Sequence, residues 1–291
     1  MNTFETPAAQ AVGITTTDAK IKNSGIKTMQ GIFEMYKKKN DKLKMADFAD
    51  VYSEEEIMKD KGRVEYFKKS KDYNQPTEHG IVLENMFCDL VEKYEWFGKG
   101  AKVVQLSEFD DMNANGAHCD AVLEIPMEDG FVVRVGIDLT TAVNYDVLNK
   151  KKSKCMDGVL SGKLFSVKYF KSKVDQTKRR ISDVPVLFAG MNKENLEALC
   201  ASIAKQENTE KDIVSKIDTQ FMFFDQFSSQ LEKYADMAEE KHGPDAVVTT
   251  WLEFYRELFE WIAENKKSLR PNNFGQKASG DEVYKYITRF V

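Results

Sequence analysis

Two aspartates stand where a buried hairpin favours apolar or β-branched residues. The stretch HCDAVLEIPMEDGFVVRVGIDLTTA, residues 118–142, reads as two strands turning at Glu128, Asp129 and Gly130. Strand side chains alternate between faces. Cys119, Ala121, Leu123 and Ile125 therefore share one face, and Asp120, Val122 and Glu124 the other. In the second strand Phe131, Val133, Val135, Ile137 and Leu139 share a face, opposite Arg134, Gly136, Asp138 and Thr140. Stacking the apolar faces leaves Asp120 and Asp138 on one side, near the open end of the hairpin. Two carboxylates held close repel, and one protonates unless a cation lies between them. A hard divalent ion with oxygen ligands resolves the conflict, and Mg²⁺ accepts a few carboxylates plus waters. A plainer reading competes: Asp138 capping the following turn, and Asp120 pairing with Arg134 across the hairpin. Asp138 ends VVRVGI, a run that reads as almost fully buried, and this favours the chemical reading.

The elements that must position these acids follow from periodicity. Residues 1–24 show none and are expected to be disordered. Residues 25–76 read as a charged helical extension, with Ile32, Phe33 and Tyr36 at helical spacing and then Met45, Phe48 and Val51. After a break at Asn74, Gln75 and Pro76, Thr77 caps a helix carrying Ile81, Leu83, Phe87, Leu90, Val91 and Tyr94 at spacings of three and four. A short strand at 102–106, the polar loop SEFDDMNANGA and the hairpin come next. Then follow a helix over about 143–159, a strand at 163–169, a basic loop KSKVDQTKRR, an apolar strand at 184–189 and the helix NKENLEALCASIAKQ. Strands interleaved with helices imply a mixed central sheet flanked by helices, spanning 77–207. Residues 208–291 read as a helical region: two long helices separated by the Gly243–Pro244 stop, and a short one near Glu282 to Ile287.

Glu84 on a helix, Asp120 at the start of a hairpin strand and Asp138 in the next strand, followed by a helix and a strand, resemble the PD-(D/E)xK nucleases. This is the restriction-endonuclease-like superfamily. The resemblance covers residues 77–205 and rests on order and placement. It implies a restriction-endonuclease-like core, with Glu84, Asp120 and Asp138 as ligands to Mg²⁺, Mn²⁺ being a substitute, and hydrolysis of phosphodiester bonds, in DNA more than RNA. In this superfamily a lysine is expected two residues after the third acid; here that position is Thr140. Members of the family move that lysine to a neighbouring element. At ~100° per residue, Lys151 falls in the middle of the stripe formed by Val143, Val147, Leu148, Cys155 and Val159. It is the candidate replacement, with Lys168 second; the alternative is that Lys151 snorkels out over the helix edge. His118 could touch substrate, although a lone histidine is more often structural.

The remaining features bound the reading. A net charge of -5 places any nucleic-acid contact on local basic runs, KKKSK at 150–154 and KSKVDQTKRR at 171–180. Four cysteines without CxxC spacing exclude a thiolate zinc knuckle and fit a reducing, cytoplasmic setting. Asp110 and Asp111 lack the spacing of an EF-hand, though Asp111 could lie at a metal rim. No apolar run approaches the ~18 residues of a membrane span, and the N-terminus lacks the order of a signal peptide. FMFFDQF and WLEFYRELFEWI are dense enough for a paired-helix bundle or a homodimer interface. An alternative function keeps the fold without the chemistry: with Thr140 marking a degenerated site, the chain would be a binding or assembly module.

Overall fold

The hairpin forms as its alternation requires. Strands β2 (Ala121–Pro126) and β3 (Val132–Thr140) pair antiparallel, with Leu123 opposite Val135. Gly130, at φ 83°, takes the left-handed conformation of the turn at little steric cost. The structure, a computed structural model, describes residues 28–70, 73, 75–112, 119–204, 211–270, 274 and 278–289. The expected disorder of 1–24 and the position of His118 lie outside them.

Helix α1 (Met29–Lys38) buries Ile32, Phe33 and Tyr36. A 3₁₀ turn (Met45–Phe48) and α2 (Glu54–Lys68), opened by a Ser53–Glu56 capping box, complete the N-terminal part. Helix α3 (Glu78–Tyr94) is capped by Thr77, whose hydroxyl accepts the Gly80 N–H at 3.1 Å. It is buried on nearly every side, Glu84 and Asn85 included. Strand β1 (Lys102–Gln105), the short α4 (Glu108–Asp111), β2 and β3 follow. Then come α5 (Tyr145–Leu160), β4 (Phe165–Lys171), β5 (Lys178–Val184), β6 (Val186–Gly190) and α6 (Lys193–Ala204). Helices α7 (Lys211–His242), α8 (Val247–Lys266) and α9 (Glu282–Thr288) end the described chain.

The sheet runs β1-β2-β3-β6, antiparallel except for β6, which lies parallel to β3. Helices flank it, so the chain is a mixed α/β protein with helical extensions. A side chain at Gly190 would bring its Cβ to 1.9 Å from the Thr140 carbonyl, so the close pairing of β6 with β3 demands glycine there.

Both outer strands are finished by side chains or loops. On β6, the Gln230 amide donates to the Phe188 carbonyl at 2.7 Å and accepts its N–H at 3.0 Å. Gln226, one turn earlier on α7, does the same for Gly190 at 2.8 and 2.9 Å. Two glutamines four apart thus stand in for a further strand and close an edge that could template aggregation. On β1, Glu92 accepts the Val103 N–H at 3.1 Å and the Gln105 carbonyl accepts the Leu43 N–H at 3.2 Å.

One apolar cluster runs from Ile32 to Ile287 and unites α1, α3, the sheet and α6 to α9. Phe221, Phe223, Phe224 and Phe227 of α7 lie in it, against Trp96, Phe97 and Phe87. A smaller cluster of Phe48, Ile57, Val64, Phe109 and Tyr169 seats α2.

Three local expectations need correction. The basic segment read as a loop contains most of the first half of β5, which pairs with β4 in a separate two-stranded sheet. Its exposed charged residues hide the strand pattern. Val143 and Val147 are exposed at 52% and 39%, because the helix begins only after the Asn144 cap and turns its buried face through Leu148, Cys155 and Val159. Val51 is likewise exposed.

Candidate active site

Asp138 is buried near the C-terminal end of β3. Asp120 brackets it. The Asp120 N–H donates to the Ile137 carbonyl at 2.8 Å, and its carboxylate accepts the Leu139 N–H at 2.5 Å. The carboxylate therefore takes up a strand N–H at the open end of the hairpin and is fixed beside Asp138. Arg134 does not reach it: the guanidinium pairs with Glu124, its directly opposed residue, at 3.1 Å.

Lys151 meets Asp138. Its ammonium bonds Asp138 Oδ1 from one face of α5, between buried Leu148 and Cys155. The lysine points inward, so the snorkelling alternative is not what the chain adopts. Burial works against its charge, but Asp138 and Asp120 outweigh burial and raise its pKa. Lys168, the second candidate, lies elsewhere. It bonds Asp60 at 2.7 Å, with its ammonium 4.7 Å from the Tyr52 ring centroid, and ties α2 to β4.

Glu84 enters from α3 and is almost fully buried. Its partner is Lys42, a residue the sequence reading passed over. Lys42 Nζ stands 3.3 Å from Glu84 Oε2 and 2.7 Å from Asp111 Oδ2. Burial opposes its charge, yet Asp111, Glu84 and Asp120 raise its pKa overall. Lys42 sits in KKKNDKLK, which resembles a solvated surface run; only the fold reveals that Lys42, like Lys39 with Asp89, turns inward to a carboxylate.

The acids influence one another. Burial, then the charges of Glu84, Asp138 and Asp111, push the Asp120 carboxyl well above its ordinary range. Burial also raises Glu84; Lys42 opposes it, while Asp111 and Asp138 add to it. Four carboxyl groups thus share one region with two ammonium groups, and burial favours the protonated forms of Asp120 and Glu84 there. A hard divalent cation with oxygen ligands matches that donor type. Among the described residues, no group of three or more His, Cys, Asp or Glu side chains is arranged to hold a metal ion. Lys42 and Lys151 already neutralise some of the oxygens that such an ion would use.

The two basic runs differ in placement. Lys150 and Lys154 share α5 with Lys151, and Lys154 feels both Asp138 and Lys151. The segment after β4 is held at the other end of the hairpin. There the wholly buried Glu124 accepts the Ser172 hydroxyl and the Lys173 N–H, each at 2.7 Å. Glu124 lies four residues from Asp120, roughly 13 Å along an extended strand, so this run does not flank the acids as expected. Lys173 and Lys178 are paired with Glu92 and Asp50 at 2.8 and 3.0 Å.

Among the described residues no helix is long and apolar enough to cross a membrane. Compared with family models, curated proteins and solved structures, the chain finds no match.

Proposed function

We propose that the chain is a metal-dependent nuclease with a restriction-endonuclease-like core, cutting phosphodiester bonds in DNA in preference to RNA. The observation that carries the reading is the contact of Lys151 with Asp138 beside Asp120. A lysine that the resemblance requires, absent at Thr140, is supplied from the next helix to the same acid. The mixed sheet, with a parallel strand added to an antiparallel hairpin, agrees with that core.

Asp120 and Asp138, with Glu84, would hold Mg²⁺, or Mn²⁺ in its place, once Lys151 and Lys42 give up the oxygens they now occupy, since the three acids do not form a ready ligand set. Once bound, the ion supplies a water of lowered pKa and neutralises charge on the phosphate. The chain's own groups do the rest. Lys151 Nζ would orient the attacking water or donate to a phosphate oxygen as charge builds there. Glu84 would complete the metal shell or hold a second water. Lys42 keeps Glu84 and Asp111 from repelling each other before substrate arrives.

A second reading, a nuclease-fold binding or assembly module, is favoured by Thr140, whose hydroxyl accepts the Ala142 N–H at 3.1 Å. Incubation with plasmid DNA, or RNA of matched sequence, in Mg²⁺, Mn²⁺ or chelator separates the two. Cleavage that needs metal and falls at least about a thousandfold in a folded Asp138→Asn variant supports the enzyme. Nucleic-acid binding without cleavage in either metal supports the module.

A further inference from the structure

A second site lies at the other end of β3. The β6 strand pairs with β3 only from Gly136 to Thr140; at the Val132–Arg134 segment no described strand pairs on that side, and the Tyr255 hydroxyl donates to the Arg134 carbonyl at 3.0 Å. A cleft of about 340 Å³ opens there, lined by Phe131, Arg179, Arg180, Asp183, Trp251 and Tyr255 among others. Asp138 is four residues along the strand from Arg134 of the lining, roughly 13 Å away.

Its lining combines two chemistries. Phe131 and Trp251 form a near-parallel pair, with centroids 6.5 Å apart and planes 19° apart, yet remain 46% and 37% exposed. Partly exposed aromatic faces at a cleft mouth offer a surface on which a planar group can stack. Beside them is the exposed Arg179, only loosely paired, 3.6 Å from Asp175. Arg180, the next residue of β5, turns to the opposite face of the β4–β5 ribbon and bonds the Ser166 hydroxyl at 2.9 Å. Arg134, also in the lining, is committed to Glu124. Asp183 is an acid of the lining and stands opposite in sign to the arginines.

We propose that this cleft binds a nucleotide unit of single-stranded DNA, its base stacking on Trp251 and Phe131 and its phosphate meeting Arg179. Aromatic faces beside an exposed cationic group are the pairing by which proteins hold single strands without reading sequence. A duplex keeps its bases stacked internally and cannot use the aromatic pair. The inference stands apart from the metal chemistry, because no acid of the Asp120–Asp138 cluster lines the cleft.

The test is fluorescence anisotropy of a labelled oligothymidylate in chelator, where no cleavage occurs. Arg179→Ala and Trp251→Ala are expected to weaken binding about tenfold each, with a thermal midpoint near wild type for the exposed Arg179 position. Arg179→Ala should also lower the slope of log affinity against log salt by about 0.7. The proposal is overturned if Arg179→Ala binds as tightly as wild type. It is equally overturned if duplex or inorganic polyphosphate binds as well as the single strand with no dependence on Trp251.

Discussion

Lys151 reaches back thirteen residues to place its ammonium on the carboxylate of Asp138, joining α5 to β3 through a largely buried charge pair. Removing the lysine leaves that carboxylate without its cation. Lys151→Met is therefore expected to cost up to about 3 kcal/mol of stability in chelator. Mg²⁺ should restore the loss, since it replaces the missing charge. Activity should stay depressed about 10²–10³-fold even with metal, as for loss of one transition-state donor. Thermal melts with and without Mg²⁺, beside cleavage rates, read both effects; a variant as active as wild type would remove Lys151 from the mechanism.

The raised carboxyls make stability depend on pH. In the unfolded chain Asp and Glu release their protons near pH 4. Folded Asp120 and Glu84 hold theirs to higher pH, chiefly because they are buried. Between those limits the unfolded state binds fewer protons, so this cluster's contribution to stability falls as pH rises above about 4. Asp120→Asn should flatten the fall. Mg²⁺ should stabilise more at higher pH and displace protons when it binds, read by calorimetry in buffers of different ionisation heat. A metal-induced shift in melting temperature that does not vary with pH would contradict this.

Lys42 competes for the same oxygens. Replacing it by Met should raise the affinity for Mn²⁺ several-fold, because Glu84 and Asp111 lose their built-in counter-charge, while the metal-free protein becomes less stable. Manganese titration followed by electron paramagnetic resonance checks the first effect. Weaker binding in the variant would show that Lys42 supports the ion rather than rivals it.

Structure and chemistry should separate at Glu124. This wholly buried acid holds Arg134, Ser172 and the start of the β4–β5 turn. Glu124→Ala is expected to cost about 3–5 kcal/mol while leaving Mn²⁺ affinity of the folded fraction unchanged. On the opposite edge, Gln230→Ala strips the Phe188 N–H and carbonyl of their partners, worth about 1–3 kcal/mol for each buried group. Denaturant midpoints measure both.

Asp138 and Lys151 were legible in the sequence for one physical reason: each is a charge in an otherwise apolar pattern, and local periodicity suffices to notice it. Glu84 was legible only through its order along the chain. Lys42 was not, because its surroundings in sequence are charged and its meaning comes from Glu84 and Asp111, 42 and 69 residues away. Strand β5 escaped notice because it packs in a two-stranded sheet with Arg179, Arg180, Ser182 and Asp183 exposed, which erases the alternation that marked β2 and β3. The glutamines that close β6 carry no local signal either; a polar residue in a helix says nothing about a strand edge 36 to 42 residues earlier.

The most direct trial of the acid cluster is Mn²⁺ binding to the full chain by calorimetry, run on wild type, Asp120→Asn and Asp138→Asn with folding verified by circular dichroism. Wild type should take up a divalent ion that both variants lose, and DNA cleavage should vanish in step. Uptake that is absent in wild type, or undiminished in the two variants, would contradict the assignment.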